Sequence, residues 1–133
     1  MWLIDTNIFI YAVGKPHPHQ EESKKIIEKA VAYPENYNIN TEILQEILHV
    51  YLNKNQIEKG IDLVDSMLDI FPNPFQISTE EIHRGCILLK KYKTLNVRDA
   101  LHAAVVKYNN LEGIITYDRH FNALRELKVL RPS

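Results

Sequence analysis

The sequence contains a single cysteine, Cys86, so the chain cannot close a disulfide within itself. Disulfides persist mainly in oxidising compartments, and their absence fits a reducing cytoplasm better than secretion. Cys86 falls in the apolar stripe of a helical pattern, where we expect a small buried hydrophobic residue. No apolar run approaches the roughly 20 residues of a membrane span, and no basic leader precedes the first apolar stretch. We therefore expect a soluble protein of the cytoplasm.

An excess of charge of either sign is also absent, because Lys and Arg number 16 against 17 Asp and Glu, for a net charge of -1. Dedicated nucleic-acid binders carry a strongly basic surface, so any polyanion must be bound locally here. Two groups of cations are candidates for such binding: Lys90, Lys91, Lys93 and Arg98, and Arg119, Arg125, Lys128 and Arg131. The alternative interpretation is that both groups are solvated helix ends, where cations are favoured.

Short apolar runs alternate with helical patterns along the chain, without internal repeats or linkers. The 133 residues predict one domain, residues 1–133. Predicted strands are WLI at 2–4, NYNI at 36–39, GIIT at 113–116 and KVLR at 128–131, with a minor strand at 75–77. Parallel strands need long crossovers, so this alternation predicts helices on both faces of a parallel sheet. We expect a three-layer α/β/α sandwich with a mainly parallel central sheet of four to five strands.

Capping signals predict where several helices begin. Asn55, with Glu58 three residues on, can cap one helix, and STEE at 78–81 is a capping-box pattern for the next. Asn96 precedes RDALHAAVVKY, which is apolar or small nearly all round and predicts a helix buried against the sheet. DRHFNALREL at 118–127 is predicted as a further short helix.

Four acidic residues are placed by these elements where a ligand would bind. Asp5 and Asp118 closely follow predicted strands, and ligands of open parallel sheets gather at the carboxyl ends of the strands. Glu46 lies beside the apolar stripe of its helix, and Asp99 opens the buried helix. We expect the four carboxylates to converge.

Each acid also has an alternative interpretation. Asp5 and Asp118 can be helix N-caps, each stabilising by about 1 kcal/mol, and Asp99 can be the acid of a capping box with Asn96. Glu46 alone could be a surface residue. Capping does not explain why Glu46 lies beside the apolar stripe, which favours the convergent interpretation of the set.

Convergent carboxylates need a cation between them, since like charges a few ångströms apart raise the pKa of at least one acid. Oxygen ligands suit a hard divalent ion, so Mg²⁺ or Mn²⁺ is the expected cofactor. Such an ion can activate a bound water and neutralise charge that develops on a phosphodiester. Asn7 and Thr116 supply neutral hydrogen bonds nearby.

Four segments together resemble a PIN domain, most closely the VapC-type toxin nucleases. They are DTNIFIYA at 5–12, INTEILQEIL at 39–48, VRDALHAA at 97–104, and ITYDRHF at 115–121 followed by LKVLRP. The resemblance extends from Met1 to about Pro132. It implies an Mg²⁺- or Mn²⁺-dependent endoribonuclease that hydrolyses RNA to a 5′-phosphate and a 3′-hydroxyl. It carries over to Asp5, Glu46, Asp99 and Asp118 as the acids, with Asn7 and Thr116 in support.

The same resemblance bears on several finer points. Glu42 shares a helix with Glu46, and only the family's pattern selects Glu46 as the ligand. His120 stands where many relatives have a further acid, so we expect one well-bound metal ion rather than two. Arg98 and Arg119 are candidates for contacts with the RNA backbone, with a plain surface role as the alternative. The family likeness also implies a cognate antitoxin and a homodimer, whereas the RNA target is not readable from the residues.

Other functions fit the sequence less well. Neither HExxH nor a CxxC pair occurs, so the six histidines do not indicate a zinc site, and His102 is interpreted as a core or orienting residue. A phospho-acceptor receiver domain needs a carboxylate pair after its first strand, and a haloacid-dehalogenase phosphatase needs an acid at the position of Asn7. The remaining alternatives are an inactive PIN-like binding or scaffolding module, or a PIN nuclease with an RNA-processing role.

Overall fold

The computed structural model describes residues 1–133, in which six α-helices surround four short strands. In chain order the elements are β1 Trp2–Ile4, α1 Thr6–Val13, α2 Gln20–Ala32, β2 Tyr37–Asn38, α3 Thr41–Asn53, α4 Ile57–Ile70, α5 Thr79–Lys91, α6 Val97–Tyr108, β3 Gly113–Ile115 and β4 Val129–Leu130. Single 3₁₀ turns occupy Pro34–Asn36 and Arg119–Ala123. None of the six helices combines the length and apolar character that crossing a bilayer requires.

The strands form one parallel sheet in the order β2-β1-β3-β4. The predicted α/β fold with a parallel central sheet is therefore confirmed. Leu3 of β1 lies beside Ile114 of β3, and Ile4 lies beside Ile115, although nearly the whole chain separates them in sequence. The carboxyl ends of β1 and β3, the two central strands, consequently lie side by side.

The helices pack in consecutive pairs, α1 with α2, α3 with α4 and α5 with α6. Helix α6 also contacts β1 and β3, and it is buried continuously from Asp99 to Val106. That burial agrees with the nearly all-round apolar pattern of its sequence. Large side chains that are fully buried against the sheet and these helices include Phe9, Ile43, Ile47 and Ile114.

The prediction that Cys86 is buried is wrong, because its side chain is exposed. Helix α5 instead turns Gly85 and Leu88 towards the interior. A Cβ atom on Gly85 would lie 3.3 Å from Cδ2 of Leu101, so the missing side chain lets α5 approach α6 closely. The buried face of α5 is therefore set by the close contact of Gly85 with α6, and not by the apolar stripe that contains Cys86.

Three further predictions, of a cap, a helix and a strand, are also corrected. Asn55 does not cap α4, since it adopts the left-handed conformation (φ 55°) in the turn before that helix, and Gln56 is the N-cap residue. The segment 118–127 forms only the 3₁₀ turn Arg119–Ala123 instead of a longer helix. The minor strand expected at 75–77 is reduced to one bridge between Asn40 and Phe75.

Candidate metal centre

Asp5 is held at the junction of β1, α1 and β3. Its backbone N–H donates to the carbonyl of Ile115 at 3.0 Å. Its Oδ1 accepts from the backbone N–H of Thr6 at 2.7 Å, and its Oδ2 accepts from the hydroxyl of Thr116 at 2.7 Å. Asp5 therefore caps α1, as the alternative interpretation allowed, but its second oxygen is bound to the neighbouring strand end.

Thr116 and Asn7 connect the two strand ends. The Thr116 hydroxyl oxygen accepts from Nδ2 of Asn7 at 3.1 Å and from the backbone N–H of Asp118 at 2.9 Å. Oδ1 of Asn7 accepts from the backbone N–H of Tyr117 at 3.3 Å. Asp118 in turn caps the following 3₁₀ turn, where Oδ1 accepts from the backbone N–H of His120 at 2.9 Å. Asn7 and Thr116, the two residues predicted to give neutral support, are therefore hydrogen-bonded to the acids either directly or through the Thr116 hydroxyl.

Glu46 is buried in α3 and is held at both carboxylate oxygens. Oε1 lies 2.9 Å from Nε2 of His102, and Oε2 accepts from the hydroxyl of Thr6. Asn40 caps α3 by accepting from the backbone N–H of Ile43, so its NH₂ group faces Nδ1 of His102 at 2.9 Å. Because Nδ1 accepts there, the neutral imidazole carries its proton on Nε2 and donates it to Glu46.

Asp99 lies at the start of α6, but its side chain does not act as a cap. The side chain of Asn96 accepts from the backbone N–H of Asp99 at 2.8 Å, which is half of a capping box. The carboxylate does not complete the box, and its buried Oδ2 has no hydrogen-bond partner. In α5, by contrast, Ser78 and Glu81 form both hydrogen bonds of a capping box. The free oxygen of Asp99 is available to another ligand.

All four predicted acids line one cavity of about 190 Å³. Arg98 and Asn7 line it as well, whereas Thr116 lies behind Asp5. Glu42 and Arg119 are not in the lining, and Arg119 is exposed on the adjoining turn. The structure therefore brings the acids together and separates Glu46 from Glu42.

The cluster is electrostatically strained without a cation. Burial, followed by the charges of Asp118 and Asp5, raises the pKa of Asp99 to about 6. Burial also raises the pKa of Asp5, although His102 and Thr116 oppose this shift. For Glu46, burial acts upward, but the hydrogen bonds from His102 and Thr6 outweigh it and lower the pKa. A positive ion in the cavity would favour the ionised form of every one of these acids.

The donor atoms present fit a divalent cation. Two groups each bring one atom per residue within 4.8 Å of one another: Asp5 with Glu46 and His102, and Asp99 with Asp118 and His120. In the first group Nε2 of His102 already donates to Glu46, so the imidazole orients that carboxylate and is not itself a donor atom for an ion. In the second, Nδ1 of His120 lies 3.2 Å from Oδ1 of Asp118 and 3.9 Å from the unpartnered Oδ2 of Asp99. Several carboxylate oxygens thus lie close together, and one of them, the buried Oδ2 of Asp99, has no hydrogen-bond partner. Such oxygens match the ligands of Mg²⁺ or Mn²⁺.

Sequence reasoning missed the roles of Thr6, Asn40 and His120. The only sequence signal for the contact of Thr6 with Glu46 was that Thr6 directly follows Asp5. Asn40 stands before the helical pattern TEIL, where a cap was recognisable but its second contact with His102 was not. For His120, the missing acid was noted, but not that Nδ1 lies 3.2 Å from Oδ1 of Asp118.

Comparison with known proteins gives matches over nearly the whole chain. The family model described as PIN domain matches residues 2–127, a range that includes all four acids. Ribonuclease VapC13 of Mycobacterium tuberculosis is 31% identical over 130 residues, 98% of this chain and 99% of the relative. A chain in a toxin-antitoxin complex from Klebsiella pneumoniae superimposes with a TM-score of 0.72 and 25% identity, covering 100% of this chain and 98% of that one. The sarcin-ricin loop cleaving toxin VapC20 of M. tuberculosis shares the fold, with a TM-score of 0.78 at 11% identity over 94% of this chain and 95% of its own.

Proposed function

This chain belongs to the PIN domain family, among the VapC ribonucleases, and we propose that it is a metal-dependent endoribonuclease acting as the toxin of a toxin–antitoxin pair. The observation that carries the proposal is the single cavity shared by the four acids, in which the buried Oδ2 of Asp99 has no partner. The nuclease domain of the proposal is the whole chain, residues 1–133.

Asp5, Glu46 and Asp99 are assigned to hold Mg²⁺ or Mn²⁺, and Asp118 completes the cluster. A divalent cation bound there would activate a water molecule and offset negative charge on the phosphodiester. His102 and Thr6 hold the carboxylate of Glu46 in place, and Thr116 holds that of Asp5. Each of these oxygens accepts hydrogen bonds without losing all its lone pairs, so the acids stay oriented towards the cavity.

In the proposed hydrolysis of RNA, arginine side chains bind the substrate beside the acid cluster. Arg98, which lines the cavity, is assigned to bind a phosphate oxygen at the cleaved bond, and Arg119 is assigned to contact the RNA backbone outside the cavity. Water adds to phosphorus, the bond to the 3′ oxygen breaks, and that oxygen leaves with a proton. The products are a 5′-phosphate and a 3′-hydroxyl, and the mechanism needs no covalent bond to the enzyme.

The proposal includes the partners and setting of such a toxin. The Klebsiella pneumoniae relative was solved as a toxin-antitoxin complex, and by that likeness we assign this chain a cognate antitoxin. The proposal also includes a homodimeric state, which rests on the family resemblance of the sequence alone. The exposed thiol of Cys86, which has no partner in the chain, suits the reducing cytoplasm.

The Asp5→Asn substitution tests the proposal. The unaltered protein is expected to cleave RNA with Mg²⁺ or Mn²⁺ and to stop when EDTA is added. Asp5→Asn is expected to abolish cleavage while keeping the fold, because it removes one charge from a crowded anionic centre. Millimolar Mn²⁺ should raise the melting temperature of the unaltered chain, since an ion bound only to the folded state stabilises it.

Two results would contradict the proposal. Cleavage retained by purified Asp5→Asn would remove Asp5 from the reaction. No Mn²⁺-dependent shift in melting temperature, together with no cleavage, would favour an inert binding module. In cells, growth arrest on expression that Asp5→Asn relieves would support the toxin role.

A further inference from the structure

A second cavity, of about 770 Å³, adjoins the metal centre. Ile10 of α1 lines both cavities. One wall is formed by the end of α1 and the loop after it, and the other by the turn between α3 and α4. Ile10 lies five residues after Asp5 on α1, so the second cavity starts about 7 Å from Asp5 along the helix. A polymer bound at the metal centre has a direct continuation into this space.

The lining of the second cavity carries cations and no acid. Lys15 approaches from the loop after α1, and Lys54 and Lys59 approach from the α3–α4 side. No carboxylate lies within ion-pair distance of these three side chains, in contrast to the four lysines that are paired: Lys24, Lys25, Lys91 and Lys107. In a chain whose net charge is -1, the cavity is a local concentration of unneutralised positive charge. Such a surface attracts an anionic ligand.

Aromatic rings stand beside these lysines and connect them to the metal centre. Tyr11 and His17, both in the cavity lining, stack with centroids 4.3 Å apart and an interplanar angle of 27°. Tyr11 also meets the edge of Tyr117 at 5.5 Å, and His19 stacks on Tyr117 at 3.8 Å. The loop that carries Lys15 and His17 is thereby braced against the residue that precedes Asp118. Flat rings next to lysines are the combination with which proteins bind single-stranded nucleic acid.

We propose that the second cavity binds the single-stranded RNA that flanks the cleaved bond. Lys15, Lys54 and Lys59 bind its phosphates, and the Tyr11–His17 pair provides a platform for a base. This inference rests on the ribonuclease function proposed above, and it adds the position of the substrate outside the metal centre. A protein segment is the less fitting occupant, because it would have to bring acids to match three unpaired lysines.

The test compares the double variant Lys54→Ala/Lys59→Ala with a matched control. Both are made in the Asp5→Asn background, so that RNA is bound without being cut. Fluorescence anisotropy measures binding of a labelled single-stranded RNA of about ten nucleotides across a range of salt concentrations. Loss of two phosphate contacts should weaken binding about tenfold and make the slope of log affinity against log salt shallower by about 1.4.

The control is Lys24→Ala/Lys25→Ala, which removes the same charge from the exposed face of α2, away from the cavity. It should change neither the affinity nor the slope. With Asp5 restored, the Lys54→Ala/Lys59→Ala protein should show a raised KM for long RNA and an unchanged kcat. A short oligonucleotide that covers only the cleaved bond should be cut with unchanged KM.

Unchanged RNA affinity, salt slope and KM in Lys54→Ala/Lys59→Ala would overturn the inference, while continued cleavage would leave the ribonuclease function standing. Normal RNA binding combined with loss of the co-expressed antitoxin would also overturn it and assign the cavity to the protein partner. Failure of the proposed function itself would appear differently, as absence of cleavage by the unaltered chain.

Discussion

Nε2 of His102 lies 2.9 Å from Oε1 of Glu46, and both side chains are buried. Asn40 occupies the other ring nitrogen, so the imidazole can turn only its proton-bearing side to the carboxylate. Thr6 donates to the second carboxylate oxygen. Glu46 is thus held at the cavity by residues of α1 and α6, whereas Glu42, one helical turn earlier, is only half-buried and lies outside the cavity lining.

The paired substitutions Glu46→Gln and Glu42→Gln test this distinction. Glu46→Gln should lower the rate of RNA cleavage by more than the roughly 10- to 100-fold typical of a residue that only supports a ligand. Glu42→Gln serves as the control and should leave the rate largely unaffected. An inactive Glu42→Gln protein beside an active Glu46→Gln protein would show that the wrong position on α3 had been assigned.

His102→Ala should weaken Mn²⁺ binding about 10- to 100-fold, because Glu46 loses the donor that orients it. The protein should also lose about 1–3 kcal/mol of unfolding free energy, since buried polar atoms of Glu46 and Asn40 are left unpaired. Calorimetric titration and denaturant unfolding measure the two effects. His102→Gln, which keeps an N–H donor, should recover part of the metal affinity. Full metal affinity in folded His102→Ala would mean that the ring has only a packing role.

Asp99→Asn should stabilise the metal-free protein at neutral pH. The pKa of Asp99 is about 6 in the folded protein against an ordinary value of 3.8, so its ionised form disfavours folding above pH 6. The advantage of the variant should reach at most about 3 kcal/mol at pH 7 to 8. It should shrink as pH falls through 6 and vanish below about 4, where the carboxyl is protonated in both states.

Unfolding midpoints measured in chelator across this pH range check the prediction. Saturating Mn²⁺ should reverse the order of stability, because the ion favours the carboxylate that the variant lacks. Equal stability of the two proteins at pH 7.5 in chelator would contradict the electrostatic account of the cluster.

His120 is expected to contribute a nitrogen ligand where the family pattern has a further acid. Its Nδ1 lies 3.2 Å from Oδ1 of Asp118, close to the spacing of roughly 3 Å between adjacent ligands of an octahedral ion with bonds of about 2.1 Å. Bound Mn²⁺ should therefore show ¹⁴N coupling in pulsed electron paramagnetic resonance spectra. His120→Ala should remove that coupling, and His83→Ala, on the exposed side of α5, should not. Absence of nitrogen coupling in the unaltered protein would leave His120 as an ion-pair partner only.

The positions of the acids could be predicted because they follow from local pattern and topology. Asp5 and Asp118 come after apolar runs that a parallel sheet must place side by side, and the helical period sets Glu46 beside the buried stripe. The contacts of Thr6 with Glu46 and of Asn40 with His102 could not be predicted, since they depend on how α3 and α6 dock on the sheet. Docking distances are a property of tertiary packing and leave no periodic signal.

The errors have similar causes in tertiary structure. The stripe through Cys86 was a sound helical pattern, but Gly85 allowed a closer contact with α6 and rotated the buried face. After Asp118, the chain was expected to stay helical as far as Leu127. Glu126 instead forms ion pairs with Lys91 and Lys107, which ties this segment to α5 and α6 in a different path.

The adjacency of β1 and β3 has a consequence for biosynthesis. A ribosome adds Thr116 111 residues after Asp5, and Asp118 follows it, yet these residues lie together in the folded acid cluster. A nascent polypeptide that has not reached β3 can pair β1 only with β2, and it lacks Thr116 and Asp118 beside Asp5. Translation therefore has to pass Asp118 before the acid cluster of that copy can assemble.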